Sequence, residues 1–154
     1  MSQENKVSLE LIEKEFNSTR KYHTGHLKTG EEIRFYNKFS ETKIKKLMNE
    51  LYEMTKEDEK QMVKVFQADG MLFDFAYFLI IKYFTDLGKE FPDGYENNIR
   101  VFSKLIELDM FGDIVGNILP IEEVGKVIER MMERIKISEQ AIRLDEEIKN
   151  RQKK

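Results

Sequence analysis

The sequence predicts a mainly α-helical protein, in which a helical domain carries a small N-terminal β-hairpin and a long C-terminal helix. Charged residues make up 36% and hydrophobic residues 40% of the 154 residues, with only two prolines, a composition typical of a helical domain with a charged surface. Most apolar residues recur three and four positions apart, as in amphipathic helices. We therefore divide the chain into a hairpin-plus-core domain, 1–120, and an extended C-terminal helix, 121–154.

The segment Met71–Leu87 (MLFDFAYFLIIKYFTDL) predicts the central helix of that core. Its charged residues Asp74, Lys82 and Asp86 fall within one arc of roughly 120°, and the rest of the helix carries no charge. A helix that is apolar over about two thirds of its circumference packs on several sides, and Gly88 is its expected C′ residue. The three charges argue against a membrane span, which needs about 20 largely uncharged residues.

The N-terminal third predicts a short helix followed by a hairpin. Val7–Phe16 has apolar residues at helical spacing, and Lys28–Glu31 has the composition of a hairpin tip, where Gly30 can adopt a positive φ. Glu32–Phe39 alternates apolar and polar residues, which indicates a strand, with Lys21–Leu27 as its candidate partner. A lone hairpin is marginally stable in water, so it must lie on the helical core or pair with another chain.

Two helices are predicted between the hairpin and the central helix. Ser40 is an expected N-cap for a helix over Glu41–Met54, which has apolar residues at i, i+3, i+4 and i+7. Thr55 is a second expected cap, followed by acidic residues that favour a helix N-terminus. The second helix is predicted over Lys56–Ala68, with Met62, Val65 and Phe66 facing inward, and Asp69-Gly70 is predicted to end it.

The remainder of the chain predicts two further helices joined by a short apolar segment. A Pro-Asp-Gly turn in Lys89–Gly94 precedes a predicted helix over Tyr95–Met110, and Phe111–Leu119 is expected to form one or two turns. Pro120 suits the first turn of the last helix, predicted from Ile121 to about Lys149. Its apolar positions form two runs in shifted registers, which indicates a stutter or a helix that leaves the domain. These runs are Val124, Ile128, Met131 and Ile135, then Ile137, Ala141, Leu144 and Ile148.

Composition and motifs exclude most catalytic classes. There is no cysteine, which fits a reducing cytoplasm, and no glycine-rich nucleotide-binding pattern occurs. The two histidines, His23 and His26, have no convincing third ligand for zinc and no triad pattern. We therefore expect no enzyme activity, no metal and no cofactor. The net charge of −3 makes nucleic-acid binding an unfavoured alternative, supported only by the basic stretches Lys43–Lys46 and Lys149–Lys154.

Seven apolar side chains are candidates for contact with another protein. Phe75 and Phe78 fall in the polar arc of the central helix, so either the hairpin or a neighbouring helix covers them or they form an apolar groove for a partner helix. The last helix carries more apolar residues than one small core covers, and methionine adapts to varied partners. For Met131, packing in the core of its own chain is as favoured as contact with a partner. The candidates are Phe75, Phe78, Met131, Met132, Ile135, Ile142 and Ile148.

Two runs, GEEIRFYNKFSETKIKKLMNEL and NIRVFSKLIELDMFGDIVGNILPIEEV, resemble tail assembly chaperones of long-tailed bacteriophages and prophages of Gram-positive hosts. The resemblance extends over about Gly30–Val124 and rests on the hydrophobic pattern and a few short shared sequence motifs. It implies a small, largely helical, non-enzymatic protein that binds the tape measure protein in the cytoplasm of the bacterial host. No catalytic residues are carried over from it.

These observations lead to one functional hypothesis with two alternatives. The hypothesis is a non-enzymatic tail assembly chaperone that binds apolar helical segments of a tape measure protein, with no membrane contact. The first alternative is a structural or adaptor protein that stays in a phage or other assembly as a homo-oligomer. The second is a small helical regulator linked to nucleic acid.

Overall fold

The computed structural model describes residues 6–60 and 71–152, and the side chains of all of these except 59, 60 and 137–139. The predicted fold class is confirmed: the chain is mainly helical, with an N-terminal hairpin and a long C-terminal helix. In chain order the elements are α1 (Leu9–Ser18), β1 (Tyr22–His26), β2 (Glu32–Tyr36), α2 (Glu41–Lys60), α3 (Met71–Phe84), a 3₁₀ helix (Asp86–Glu90), α4 (Tyr95–Glu107), α5 (Asp109–Asp113), a π-helical turn (Ile114–Ile118) and α6 (Ile121–Gln152).

Helix α3 lies at the centre of the core, as its sequence predicts, and contacts both α2 and α6. Its aromatic side chains pack mainly on α4 and the loop before it: Phe75 meets the edge of Phe102 at 5.1 Å between ring centroids, and Phe78 stacks on Phe91 at 4.9 Å. Each fully buried phenylalanine stabilises the fold by about 1.5–3 kcal/mol. Seven α3 side chains are buried, namely Phe75, Ala76, Phe78, Leu79, Ile80, Ile81 and Phe84.

The end of α3 differs from the prediction, because the helix stops at Phe84 and the expected last turn does not form. Thr85 is extended and bridges Phe35 of β2, while its hydroxyl donates to the carbonyl of Ile81 at 2.7 Å. Gly88 is therefore not a C′ residue but lies in the 3₁₀ helix. A Cβ at Gly88 would lie 1.7 Å from the carbonyl oxygen of Lys82, so the close return of the chain onto α3 requires glycine.

The hairpin lies on the helical core, one of the two arrangements expected for it. Strands β1 and β2 are antiparallel, and the tip contains Gly30 at φ 100°. Ile33 of β2 is buried, and Ile118 of the π-helical turn approaches the position of a Cβ on Gly25 to 3.0 Å. The backbone N–H of Lys28 donates to Asp113 at 2.7 Å. Apolar contact and a hydrogen bond thus hold the hairpin against the segment that precedes α6.

Helix α2 is continuous to Lys60, so the prediction of a break at Thr55 is wrong. The Thr55 hydroxyl donates to the carbonyl of Tyr52 at 2.7 Å, which is back-bonding within a helix and not capping. No glycine or proline interrupts this stretch, and beyond the expected break Asp58 is buried and accepts a hydrogen bond from the Tyr95 hydroxyl of α4. Ser40 is the N-cap as predicted, accepting from the N–H of Lys43 at 3.2 Å. The predicted inward side chains Met62, Val65 and Phe66 and the break at Asp69-Gly70 lie outside the described residues.

The helix predicted over Tyr95–Met110 ends earlier, at Glu107, because Leu108 adopts an extended conformation with φ −102° and ψ 141°. The short α5 and the π-helical turn follow in place of a continued helix. This bend turns Met110 and Phe111 onto the buried core, against which both side chains pack.

Helix α6 begins directly after Pro120, as predicted, and its 32 residues extend for about 48 Å at 1.5 Å per residue. Its first turns belong to the core, where Val124, Val127 and Met131 are buried. Beyond the side chains left undescribed, every residue from 140 to 152 is exposed. The helix therefore leaves the core after about four turns, which fits the predicted register shift.

Candidate partner-binding surface

Three of the seven predicted partner-binding residues are core side chains. Phe75 and Phe78 are 0% exposed and Met131 is 2% exposed. Phe102 packs on Phe75 and Phe91 packs on Phe78, so neither side chain lines an exposed groove in the structure; a partner-binding role for them stays a prediction. Of the alternatives left open by the sequence, coverage by a neighbouring helix is the one observed for Phe75.

The other four predicted residues lie along α6, and all but Ile135 are exposed. Ile135 is half-buried against the core, whereas Met132 is 45%, Ile142 59% and Ile148 54% exposed. The structure brings Met131 and Ile135 together with the core and leaves Met132, Ile142 and Ile148 in solvent. A partner-binding role for these three side chains stays a prediction.

The exposed half of α6 carries an apolar stripe, which we call the tail stripe: Ala141, Leu144 and Ile148. Its residues are three and four positions apart, the spacing by which one helix packs against another. All three are exposed. An ion pair between Lys149 and Asp145, 3.1 Å apart, borders the stripe on one side. The stripe has the form of a helix-docking surface, and it includes Leu144, which sequence reasoning did not select.

Sequence reasoning also missed a second exposed stripe, on α1. We call it the α1 stripe: Leu9, Ile12 and Phe16, which are 82%, 53% and 50% exposed. No residue of α1 is buried, although Ser8 caps the helix by accepting from the N–H of Leu11 at 3.1 Å. The helical spacing of these residues was visible in the sequence. What the sequence could not show is that the core leaves them uncovered.

The two histidines occupy the surface of the hairpin. The His23 ring packs on Phe35 at 5.9 Å between ring centroids, and His26 Nε2 lies 3.6 Å from the Glu32 carboxylate. Within residues 6–60 and 71–152, no group of three or more histidine, aspartate or glutamate side chains is placed to hold a metal ion.

Two tyrosines and a lysine join the hairpin to α2. The rings of Tyr22 and Tyr36 stack at 4.4 Å, and Lys43 Nζ lies 3.6 Å from the centre of the Tyr36 ring. Burial and a hydrogen bond with Tyr36 raise the pKa of Tyr22 to about 12. Burial opposes ionisation of Tyr36, but hydrogen bonds with Tyr22 and Lys43 outweigh it and lower the Tyr36 pKa. Lys43 is thus engaged within the fold, which weakens the basic stretch Lys43–Lys46 as a nucleic-acid contact.

Two carboxylates hold neighbouring segments together around the start of α6. Asp113 accepts from the side chain of Asn117 and the N–H of Lys28, and both bonds lower its pKa. For Glu123, burial raises the pKa, but the ion pair with Lys126 and the bond from the Phe39 N–H, at 3.0 Å, bring it below its ordinary value. The ionised carboxylates therefore hold the hairpin and the start of α2 against the segment that leads into α6.

None of the helices formed by the described residues is long and apolar enough to cross a membrane.

The fold and its surfaces define a mainly helical protein with an N-terminal hairpin and two exposed apolar helical stripes. Residues 8–154 match the sequence model of the YomO family, and the chain belongs to that family. The family name is associated with Bacillus phages and prophages, and the protein is therefore phage-related. No curated protein and no solved structure matched the chain.

Proposed function

We propose that this protein is a non-enzymatic tail assembly chaperone that binds apolar helical segments of a tape measure protein. The observation that carries the proposal is the second half of α6. It extends from the core as a helix and exposes Ile142 and Ile148 to solvent, and Met132 is exposed in the half before it. Such side chains gain free energy when another apolar surface covers them.

The phage-related family and the resemblance of two runs to tail assembly chaperones support the phage context. The physical mechanism is helix-in-groove burial, in which the client lays apolar residues at i, i+3, i+4 and i+7 against the exposed helix. Methionine at position 132 adapts to varied client side chains. Because each exposed residue is already half-covered, its further burial contributes only about 1 kcal/mol, and we expect binding that is weak per site and easily released.

Co-expression with a tape-measure-like helical protein tests the proposal. The test variant combines Ile142→Ala with Ile148→Ala, and the matched control combines Gln140→Ala with Asn150→Ala. All four residues are exposed on the same helix, and alanine favours a helix at each position. Helix content and unfolding midpoint should therefore stay the same in both variants.

We expect the wild type and the control to retain the client on affinity capture and keep it in the supernatant, and the isoleucine variant to lose both effects. Equal capture by both variants would contradict the proposed site. Absence of capture by the wild type itself would contradict the function. Recovery of this chain in assembled tails, at fixed stoichiometry, would favour the structural or adaptor alternative instead.

A further inference from the structure

Two tyrosines lie face to face on the surface of the hairpin. Tyr22 of β1 and Tyr36 of β2 are directly opposite each other in the antiparallel register, and their ring centroids are 4.4 Å apart with 28° between the ring planes. Directly opposite residues of an antiparallel pair have Cβ atoms only about 5 Å apart, so the backbone itself brings the two rings together. Both residues are half-buried, and a small reagent in solvent can therefore reach them.

The contacts around the pair restrain both rings. Lys43 Nζ of α2 lies 3.6 Å from the centre of the Tyr36 ring, and Lys89 Nζ of the 3₁₀ helix lies 5.2 Å from the centre of the Tyr22 ring. A hydrogen bond joins the two tyrosine side chains. A cation over each ring attracts it electrostatically, and the hydrogen bond fixes the hydroxyls relative to each other. The two rings therefore stay in contact in the folded chain.

The other tyrosines of the chain lack such a neighbour. Within the part of the chain that the structure describes, no second pair of tyrosine rings is in contact. Tyr95 donates its hydroxyl to Asp58 at 2.5 Å. Tyr52 is the more exposed side chain, at 55%, and Lys56 Nζ lies 4.5 Å from its ring centre. Tyr52 thus has exposure and a nearby cation but no tyrosine beside it.

We propose that Tyr22 and Tyr36 form a site of oxidative coupling, at which a one-electron oxidant joins the two rings into a dityrosine within one chain. Each tyrosine gives one electron to the oxidant and its hydroxyl proton to solvent, which leaves two neighbouring phenoxyl radicals. The radicals combine in a new carbon–carbon bond between the ring positions next to the hydroxyls. The hydrogens on those two carbons leave as protons while the two oxygens are protonated again, so the chain loses two hydrogen atoms in all.

Contact between the two rings decides which product forms. A radical on an isolated exposed ring couples only when it meets a second protein molecule, and such encounters become rarer as the protein is diluted. Reactants that are held in contact react in an effectively unimolecular step. Coupling of Tyr22 with Tyr36 is therefore independent of protein concentration, whereas coupling through Tyr52 is not.

The cross-link also has a consequence for stability. It closes the hairpin covalently between its two strands, and a covalent link that fits the native geometry restricts the unfolded chain, as a disulfide does. The coupled chain should therefore unfold at a higher urea concentration than the untreated chain. This site lies on the hairpin, apart from the exposed half of α6, and does not depend on the identity of any client.

Brief photo-oxidation of the full chain with tris(bipyridyl)ruthenium and persulfate tests the site. The chain has no cysteine, so no disulfide forms beside the new link. At low protein concentration we expect dityrosine fluorescence from monomeric protein, and peptide mapping should locate the link between Tyr22 and Tyr36 with the loss of two hydrogen atoms. Its yield should stay constant on further dilution. Absence of this link, or links found only between chains, would overturn the proposal.

Two conservative variants complete the experiment. Tyr36→Phe keeps an aromatic ring against Tyr22 but has no hydroxyl to oxidise, so it should lose the link within the chain and the gain in urea midpoint. Tyr52→Phe is the matched control, since the same change on the more exposed tyrosine should leave the yield of the link unchanged. Equal loss of the link in both variants, or a urea midpoint lowered by coupling in the wild type, would contradict the stacked geometry as its cause.

Discussion

Gly88 is the position where one added methyl group should do most damage. It lies in the 3₁₀ helix after α3, and a Cβ there would meet three backbone atoms of Lys82: the carbonyl oxygen at 1.7 Å, the carbonyl carbon at 2.4 Å and Cα at 2.7 Å. These atoms belong to the last turn of α3 and cannot rotate away as a side chain does. Gly88→Ala therefore forces the chain after α3 to move.

The size of the effect follows from two opposing contributions. Replacing glycine by alanine stabilises a protein by about 0.4–1 kcal/mol when the native conformation tolerates it, since the unfolded chain loses freedom. Here the overlap outweighs that gain, because forcing extra atoms into a packed site costs about 1–3 kcal/mol or more. The shift also pulls on Thr85, which bridges Phe35 of the hairpin. We expect Gly88→Ala to lower the free energy of unfolding by about 2–3 kcal/mol.

Gly125→Ala is the matched control, since Gly125 lies inside α6 and a Cβ there meets nothing within 4 Å. Removing a mid-helix glycine should raise the free energy of unfolding by about 0.5–1 kcal/mol. Urea denaturation followed by far-ultraviolet circular dichroism measures both variants, with the slope of each transition as a check on two-state unfolding. The two substitutions should shift the midpoint in opposite directions. Shifts of the same sign, or a stabilised Gly88→Ala protein, would refute the steric argument.

Three further predictions concern a buried aromatic ring, an exposed ion pair and a buried carboxylate. Phe102→Ala should lower the free energy of unfolding by about 3–5 kcal/mol, because its fully buried ring supports both Phe75 and Phe78; a loss below about 1 kcal/mol would contradict the central packing. Arg130→Met should cost less than about 1 kcal/mol, since its pair with Glu41 is exposed, and added salt should shrink the difference in urea midpoint. Because the pKa of Glu123 is lowered from 4.5, its contribution is complete above that pH and lost as pH falls through the folded-state pKa. Acid unfolding curves of wild type and Glu123→Ala should therefore converge below pH 4.5, and parallel curves would contradict this.

Local signals in the sequence suffice for most of the fold. Period-two alternation and Gly30 identify the hairpin, Ser40 marks the start of α2, and Pro120 marks the start of α6, because each signal acts within one turn of chain. The central position of α3 also follows from sequence, since few charges leave most of its surface available for burial.

Long-range contacts decide the features that the sequence misses. Thr85 leaves the helix because β2, some fifty residues earlier, pairs with it, and Phe75 is buried although its arc also carries charges. The charged residues Asp74 and Lys82 in that arc are only partly buried, and Lys82 pairs with Glu50 of α2 at 2.5 Å. A helical-wheel diagram cannot distinguish an exposed phenylalanine from one that a neighbouring helix covers.

The candidate surface is predictable in part, because the register shift within α6 dictates that its second half stays exposed. Relative to the run Val124–Ile135, which packs on the core, the tail stripe is rotated by roughly 140° about the helix axis. A longer core on the same side would therefore still not cover Leu144 and Ile148. Their exposure follows from the order of residues along α6 and not from the length of the helix alone. What the sequence does not show is that the core leaves every residue of α1 unburied.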